Sequence, residues 1–114
     1  MSRFEVDTHV PGVAFVALAG EHELYGAAKL QEEVDALIAA GRSIVIDLSE
    51  TVFVDSTIVG VLLKARQLAD SQGVEYRIVL SEGTGEPVRR MFALTGLDDL
   101  LPIVERDDAL PPLH

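Results

Sequence analysis

Two adjacent segments constrain this chain more than anything else in it: the run Ser43-Ile44-Val45-Ile46-Asp47-Leu48 and the apolar stretch that begins at Ser56. The first is short and almost continuously apolar, which reads as a buried strand. In the second, from Ser56 to about Gln72, Ile58, Val61, Leu62, Ala65, Leu68 and Ala69 share one stripe at 100° per residue, the pattern of a helix lying on a core. A strand that leads through a short loop into such a helix must cross over before it meets its next neighbour. That geometry favours parallel strand pairs.

The rest of the chain follows the same alternation. Phe4 to His9 and Val13 to Ala19 are strand-like and are separated by the turn signal Pro11-Gly12. The second of these is apolar at nearly every residue, as in a strand covered on both faces. A helix from about Tyr25 to Ala40 carries Leu30, Val34, Leu37 and Ile38 on one face and stops at Gly41. Strand Ile44 to Leu48 and the Ser56 helix, stopped by Gly73, come next. Strand Tyr76 to Leu80 leads through Ser81-Glu82-Gly83-Thr84-Gly85, read as a flexible connection, into a helix opened by Pro87 and stopped by Gly96. A short strand near Ile103 to Glu105 and a helical turn at Asp107 to Leu110 close the chain. Pro111 to His114 reads as a frayed tail.

The order is β-β-α-β-α-β-α-β. It predicts an α/β fold with a mixed sheet of about five strands and three to four helices packed mainly on one face. The opening hairpin rules out an all-parallel sheet. At 114 residues the chain has the size of one domain, taken as residues 1–114.

Composition narrows the function. There are no cysteines, which removes disulfides and thiolate metal sites, and His9, His22 and His114 are too dispersed for a ligand pattern. Neither a metal nor any cofactor is expected. Nine basic against nineteen acidic residues give a formal net charge of −10, the wrong sign for nucleic acid or an anionic membrane surface. No apolar run is long enough to span a membrane, and Met1-Ser2-Arg3-Phe4-Glu5 lacks a signal-peptide pattern. A soluble, cytoplasmic protein is expected.

Ser56 carries the functional question. A hydroxyl at a helix N-terminus can cap it, and a phosphate there would sit in a favourable field. The helix side opposite the core stripe holds Ser56, Gly60, Leu63 and Gln67, flanked by Val59, Arg66 and Asp70. Gly60 costs roughly 1 kcal/mol relative to Ala inside a helix. Val59 and Leu63 are apolar where a solitary domain gains more from charge. The strip reads as a docking surface headed by Ser56, on which a partner backbone comes close at Gly60.

The pattern resembles the STAS domain, the fold of the anti-sigma factor antagonists. Gly20-Glu21-His22-Glu23-Leu24 is similar to that family's first loop, and Ile46-Asp47-Leu48-Ser49 to its central strand end. Val54-Asp55-Ser56-Thr57 resembles its phosphorylation loop, Thr95-Gly96-Leu97 its helix stop, and Asp107-Asp108-Ala109-Leu110 its acidic-Ala-Leu ending. The family commonly has Asp-Ser-Ser-Gly-Leu-Gly where this chain has Asp55-Ser56-Thr57-Ile58-Val59-Gly60. Ile58 therefore replaces a glycine, and Glu23 stands where many members have Asp.

The resemblance implies a binding switch and not an enzyme. The partner would be an anti-sigma factor that is also a serine kinase. Phosphorylation of Ser56 would break the complex, and a serine phosphatase would restore it. The implied contact set is Glu23, Asp47, Asp55, Ser56, Thr57, Val59, Gly60 and Leu63. Alternatives are a non-phosphorylated STAS scaffold in a signalling complex, a cytoplasmic STAS subunit of a transport system, or use of the same strip in a weak homodimer. A serine hydrolase built on Ser56 and His22 is remote, because no Gly-x-Ser-x-Gly elbow surrounds Ser56. The segment 81–87 lacks the Lys-Ser/Thr ending of a phosphate loop, and Glu82 and Glu86 would repel phosphate.

Overall fold

The computed structural model describes residues 2–22 and 24–105. Five strands form one sheet in the order β1-β2-β3-β4-β5: β1 Ser2–Asp7, β2 Val13–His22, β3 Ser43–Val54, β4 Tyr76–Leu80 and β5 Ile103–Glu105. β1 runs antiparallel to β2, and each later pair is parallel. Between the parallel strands lie α1 Leu24–Ala39, α2 Ser56–Gln72, and the pair α3 Glu86–Thr95 and α4 Leu97–Leu100. Every crossover steps the same way across the sheet. Because such crossovers are right-handed, they deliver all their helices to one face.

The core lies between that face and the helices. Ala14, Val16 and Leu18 of β2 meet Ile44, Ile46 and Leu48 of β3 and Ile78 and Leu80 of β4 there. Leu30, Val34 and Ile38 of α1 pack above them, with Ile58, Leu62, Ala65 and Ala69 of α2 and Val88 and Phe92 of α3. The Tyr76 hydroxyl is buried and donates to the Leu62 carbonyl at 2.9 Å, tying β4 to α2. Burial pushes that phenol well above its ordinary range, so it stays a neutral donor.

The opposite sheet face carries a small cluster of Val13, Val45 and Val79, with half-buried Val10 and Phe15 beside it. β2 is therefore not sandwiched between two helix layers among the described residues. Its nearly continuous apolar character serves a helix-covered face and this smaller cluster.

Two strands outrun their predicted ends. β2 and β3 continue together past β4, pairing Ala19 with Glu50, Gly20 with Thr51, Glu21 with Phe53 and His22 with Val54. Two register shifts, between Ala17 and Ala19 and between Gly20 and Glu21, interrupt the ladder. Such bulges bend and twist a strand pair, turning this ribbon away from the rest of the sheet. Segment 49–54, read from sequence as a loop, is thus strand. The expected turn at Asp107 to Leu110 and the tail at 111–114 lie outside the described residues.

Candidate functional site

The ribbon hands the chain to α2 at Asp55. Asp55 has extended backbone angles, φ −97° and ψ 179°, and its Oδ1 accepts from the Ile58 N–H at 3.1 Å. Asp55 is the N-cap, and Ser56 is the first residue inside the helix. Sequence left open whether Ser56 caps α2, and the cap is its neighbour. An extended residue whose carboxylate reaches the third helical N–H fills the cap position, and the next residue has helical angles. Ser56 is exposed, and among the described residues nothing hydrogen-bonds its hydroxyl.

The helix is sunk deeper than its apolar stripe implies. Val59 is only 8 % exposed and belongs to the core, and Leu63 is half-buried against it. Val59 therefore does not stand on an open docking strip as expected, whereas Leu63 keeps part of its surface exposed. The buried arc of α2 runs from Val61 through Ile58 and Leu62 to Val59, about 160° at 100° per residue. The outward side consists of Ser56, Thr57, Gly60, Lys64 and Gln67. Thr57, Gly60 and Lys64 border a cleft of about 320 Å³ against Ala27 and Ala28 of α1. A Cβ placed at Gly60 would meet nothing within 4 Å.

Exposed apolar surface comes instead from the ribbon that leads into Ser56. Val52 is 51 % exposed and Phe53 37 %, three and two residues before the cap residue. Reading 49–54 as a loop hid these two residues. Thr51-Val52-Phe53-Val54, four strand-forming residues in a row, was the available signal.

A turn from the neighbouring crossover holds the ribbon in place. Thr84 Oγ1 donates to the Leu48 carbonyl at 2.9 Å, and the Gly85 N–H donates to the Thr51 carbonyl at 2.9 Å. Thr51 Oγ1 in turn donates to the Leu18 carbonyl at 2.8 Å. A Cβ at Gly85 would collide with the Val52 carbonyl oxygen, so only glycine permits this approach. Arg89 Nη2 donates to the Ser81 carbonyl at 2.7 Å and to Glu105 Oε1 at 2.8 Å, fastening the turn to β5. The segment 81–85 is therefore a fixed brace with Ser81 and Thr84 buried, and not a flexible connection.

Asp47 is not gathered into the site. It shares a face with Val45, on the side of the sheet away from α2, and its Oδ1 accepts from the Ser49 N–H at 2.9 Å and the Ser49 hydroxyl at 2.5 Å. Glu23 lies outside the described residues, as does the side chain of His22. Asp55, Ser56, Thr57 and Gly60 lie at the start of α2, and the exposed Val52 and Phe53 precede them on β3.

Comparison with known proteins identifies the family and the fold. The sequence profile described as Mlab, STAS domain, matches residues 7–104. The chain belongs to the STAS domain family. This STAS domain is 30% identical over 93 residues to the anti-sigma-B factor antagonist of Bacillus subtilis (strain 168), covering 82% of this chain and 83% of the relative. Its fold matches the crystal structure of an anti-sigma factor antagonist from Mycobacterium paratuberculosis with a TM-score of 0.78 at 27% identity, over 99% of this chain and 88% of that one. The unphosphorylated form of the anti-sigma factor antagonist SpoIIAA has the same fold, with a TM-score of 0.78 at 17% identity over 95% and 93% of the two chains. Among the described residues, no helix of this STAS domain is long and apolar enough to cross a membrane. No group of three or more acidic or histidine side chains there could hold a metal ion.

Proposed function

We propose that this STAS domain is an anti-sigma factor antagonist, docking on an anti-sigma factor that is also a serine kinase, and that phosphorylation of Ser56 ends the contact. The observation that carries this reading is the position of Ser56. It is exposed at the first turn of α2 and relieved of capping by Asp55, and it follows the exposed Val52 and Phe53 by four and three residues along the chain. A kinase can reach that hydroxyl without dismantling the helix start.

The charge balance favours a repulsive switch. Phosphorylation adds about −1.5 to −2 charges at neutral pH. The helix N-terminus returns roughly 0.3–1 kcal/mol to an exposed anion. A partner surface fitted to a hydroxyl and two apolar side chains would have to bury that dianion next to Asp55, which costs several times more. The barrier to docking rests on the phosphate and Asp55. Restoration of the hydroxyl by a serine phosphatase would reopen the site.

The test compares Ser56→Asp and Ser56→Ala with the unmodified chain in titrations against the anti-sigma factor of the same organism. Ser56→Asp should lose most of its affinity with its far-ultraviolet circular dichroism unchanged, while Ser56→Ala should keep binding. Equal affinity of Ser56→Asp and the unmodified chain would reject the switch.

A further inference from the structure

The cleft bordered by Thr57 and Gly60 extends along α2 away from Ser56 as far as Lys64. Its floor is Ala27 and Ala28 of α1 with Gly60 and Val61 of α2, and Lys64 stands at its mouth. Beyond Lys64 the groove continues between the two helices past Gln31, Asp35, Gln67 and Leu68. Small residues facing one another usually let helices close together. Here they border an open groove that nothing in the described chain fills.

Among the described cations, Lys64 and Arg42 lack a carboxylate partner, and Arg42 donates instead to the Val13 carbonyl. Lys29, Arg66, Arg77, Arg89 and Arg90 each pair with a carboxylate. Lys64 has no carboxylate within 4.0 Å among the described residues, in a chain with ten more acidic than basic side chains (nineteen minus nine). Asp35, which shares the groove, accepts from Gln31 Nε2 at 2.7 Å instead. A solvated lysine normally needs no counter-ion. Lys64 differs in standing at the mouth of an unfilled apolar cleft that begins one residue after Ser56.

We propose that the α1–α2 groove is a second contact surface for the same protein partner, occupied by a segment that places an apolar side chain over Gly60 and a carboxylate on Lys64. The proposal rests on the docking reading above, because a partner seated at Ser56 extends over Thr57 into the groove. A carboxylate would be repelled over most of a surface with net charge −10, so Lys64, the cation that lines this groove, fixes its register. A second copy of this chain is a poorer occupant. It brings the same net charge of −10 and would have to set its excess carboxylates against Asp35 as well as Lys64.

The experiment titrates the anti-sigma factor of the same organism against the unmodified chain, Lys64→Glu, Lys64→Gln and Arg90→Glu. Arg90 lies on α3 and Lys64 on the exposed side of α2, so the two reversals change net charge equally with only one touching the groove. Lys64→Glu should weaken binding by at least about tenfold, Lys64→Gln by less, and Arg90→Glu by no more than about twofold. Reversing the matching carboxylate of the anti-sigma factor to lysine should restore affinity for Lys64→Glu. Equal losses for Lys64→Glu and Arg90→Glu would overturn the groove proposal. If Ser56→Asp abolishes binding and Lys64→Glu does not, the switch stands and the groove contact fails. No binding by the unmodified chain would remove the reading beneath both. Sedimentation of the chain alone provides the last arm: a dimer lost in Lys64→Glu would assign the groove to a second copy and overturn the proposal.

Discussion

Asp55 and Ser56 divide two jobs between neighbouring residues. Asp55 closes the helix start, and Ser56 is left outward, so their substitutions should separate cleanly. Asp55→Ala should lower stability by about 1 kcal/mol, the usual loss of an N-cap side chain, in urea denaturation. Ser56→Ala should stay within about 0.5 kcal/mol of the unmodified chain, as exposed positions do. Which of the two was the cap was not legible in the sequence, because Asp and Ser are both strong cap formers and only the backbone angles decide. The burial of Val59 was hidden for a related reason: a stripe of apolar residues gives a helix's direction of packing but not its depth. Gly60 was legible, and its meaning has sharpened. Nothing in the described chain requires a glycine there, so Gly60→Ala should stabilise the domain by up to about 1 kcal/mol. It should also weaken partner binding. A rise in melting temperature with undiminished affinity would show that the space at Gly60 serves no partner.

Among the elements, the β2–β3 ribbon and its brace position the site. Sequence reading ended β3 at Leu48 because Ser49 and Glu50 are polar, and both occur where the first bulge disturbs the ladder. The strand resumes with Thr51-Val52-Phe53-Val54. Alternation arguments fail at such a point, since an extra residue exchanges the two faces. The brace was misread for a different reason. Gly83 and Gly85 suggest flexibility when the chain is read locally, whereas they are there because another backbone passes too close for a Cβ. Gly85→Ala should therefore destabilise the domain by about 1–3 kcal/mol, the usual range for forced overpacking. Amide hydrogen exchange should quicken most at residues 50–54, where the Thr51 carbonyl loses the Gly85 N–H. Uniform protection across β3 in that variant would show that the ribbon holds without the brace.

The whole architecture was the most legible level. Strand and helix alternate with clear stops at Gly41, Gly73 and Gly96, and right-handed crossovers then leave little freedom in strand order. The placement of Asp47 was not legible. Its neighbourhood in sequence suggested that it would join Ser56, but strand alternation sends it to the other side of the sheet. What the assembled molecule presents is an outward Ser56 hydroxyl in the first turn of α2, with exposed Val52 and Phe53 on the strand that leads into it. That arrangement predicts a switch that changes surface charge and leaves the fold intact. Its most direct test is to incubate the chain with ATP and the anti-sigma kinase of the same organism, then measure intact mass, the site of modification and the affinity of the product. The addition of a single phosphate at Ser56, with affinity lost and circular dichroism unchanged, is the predicted result; modification elsewhere, or a Ser56-phosphorylated chain that still binds, would contradict it.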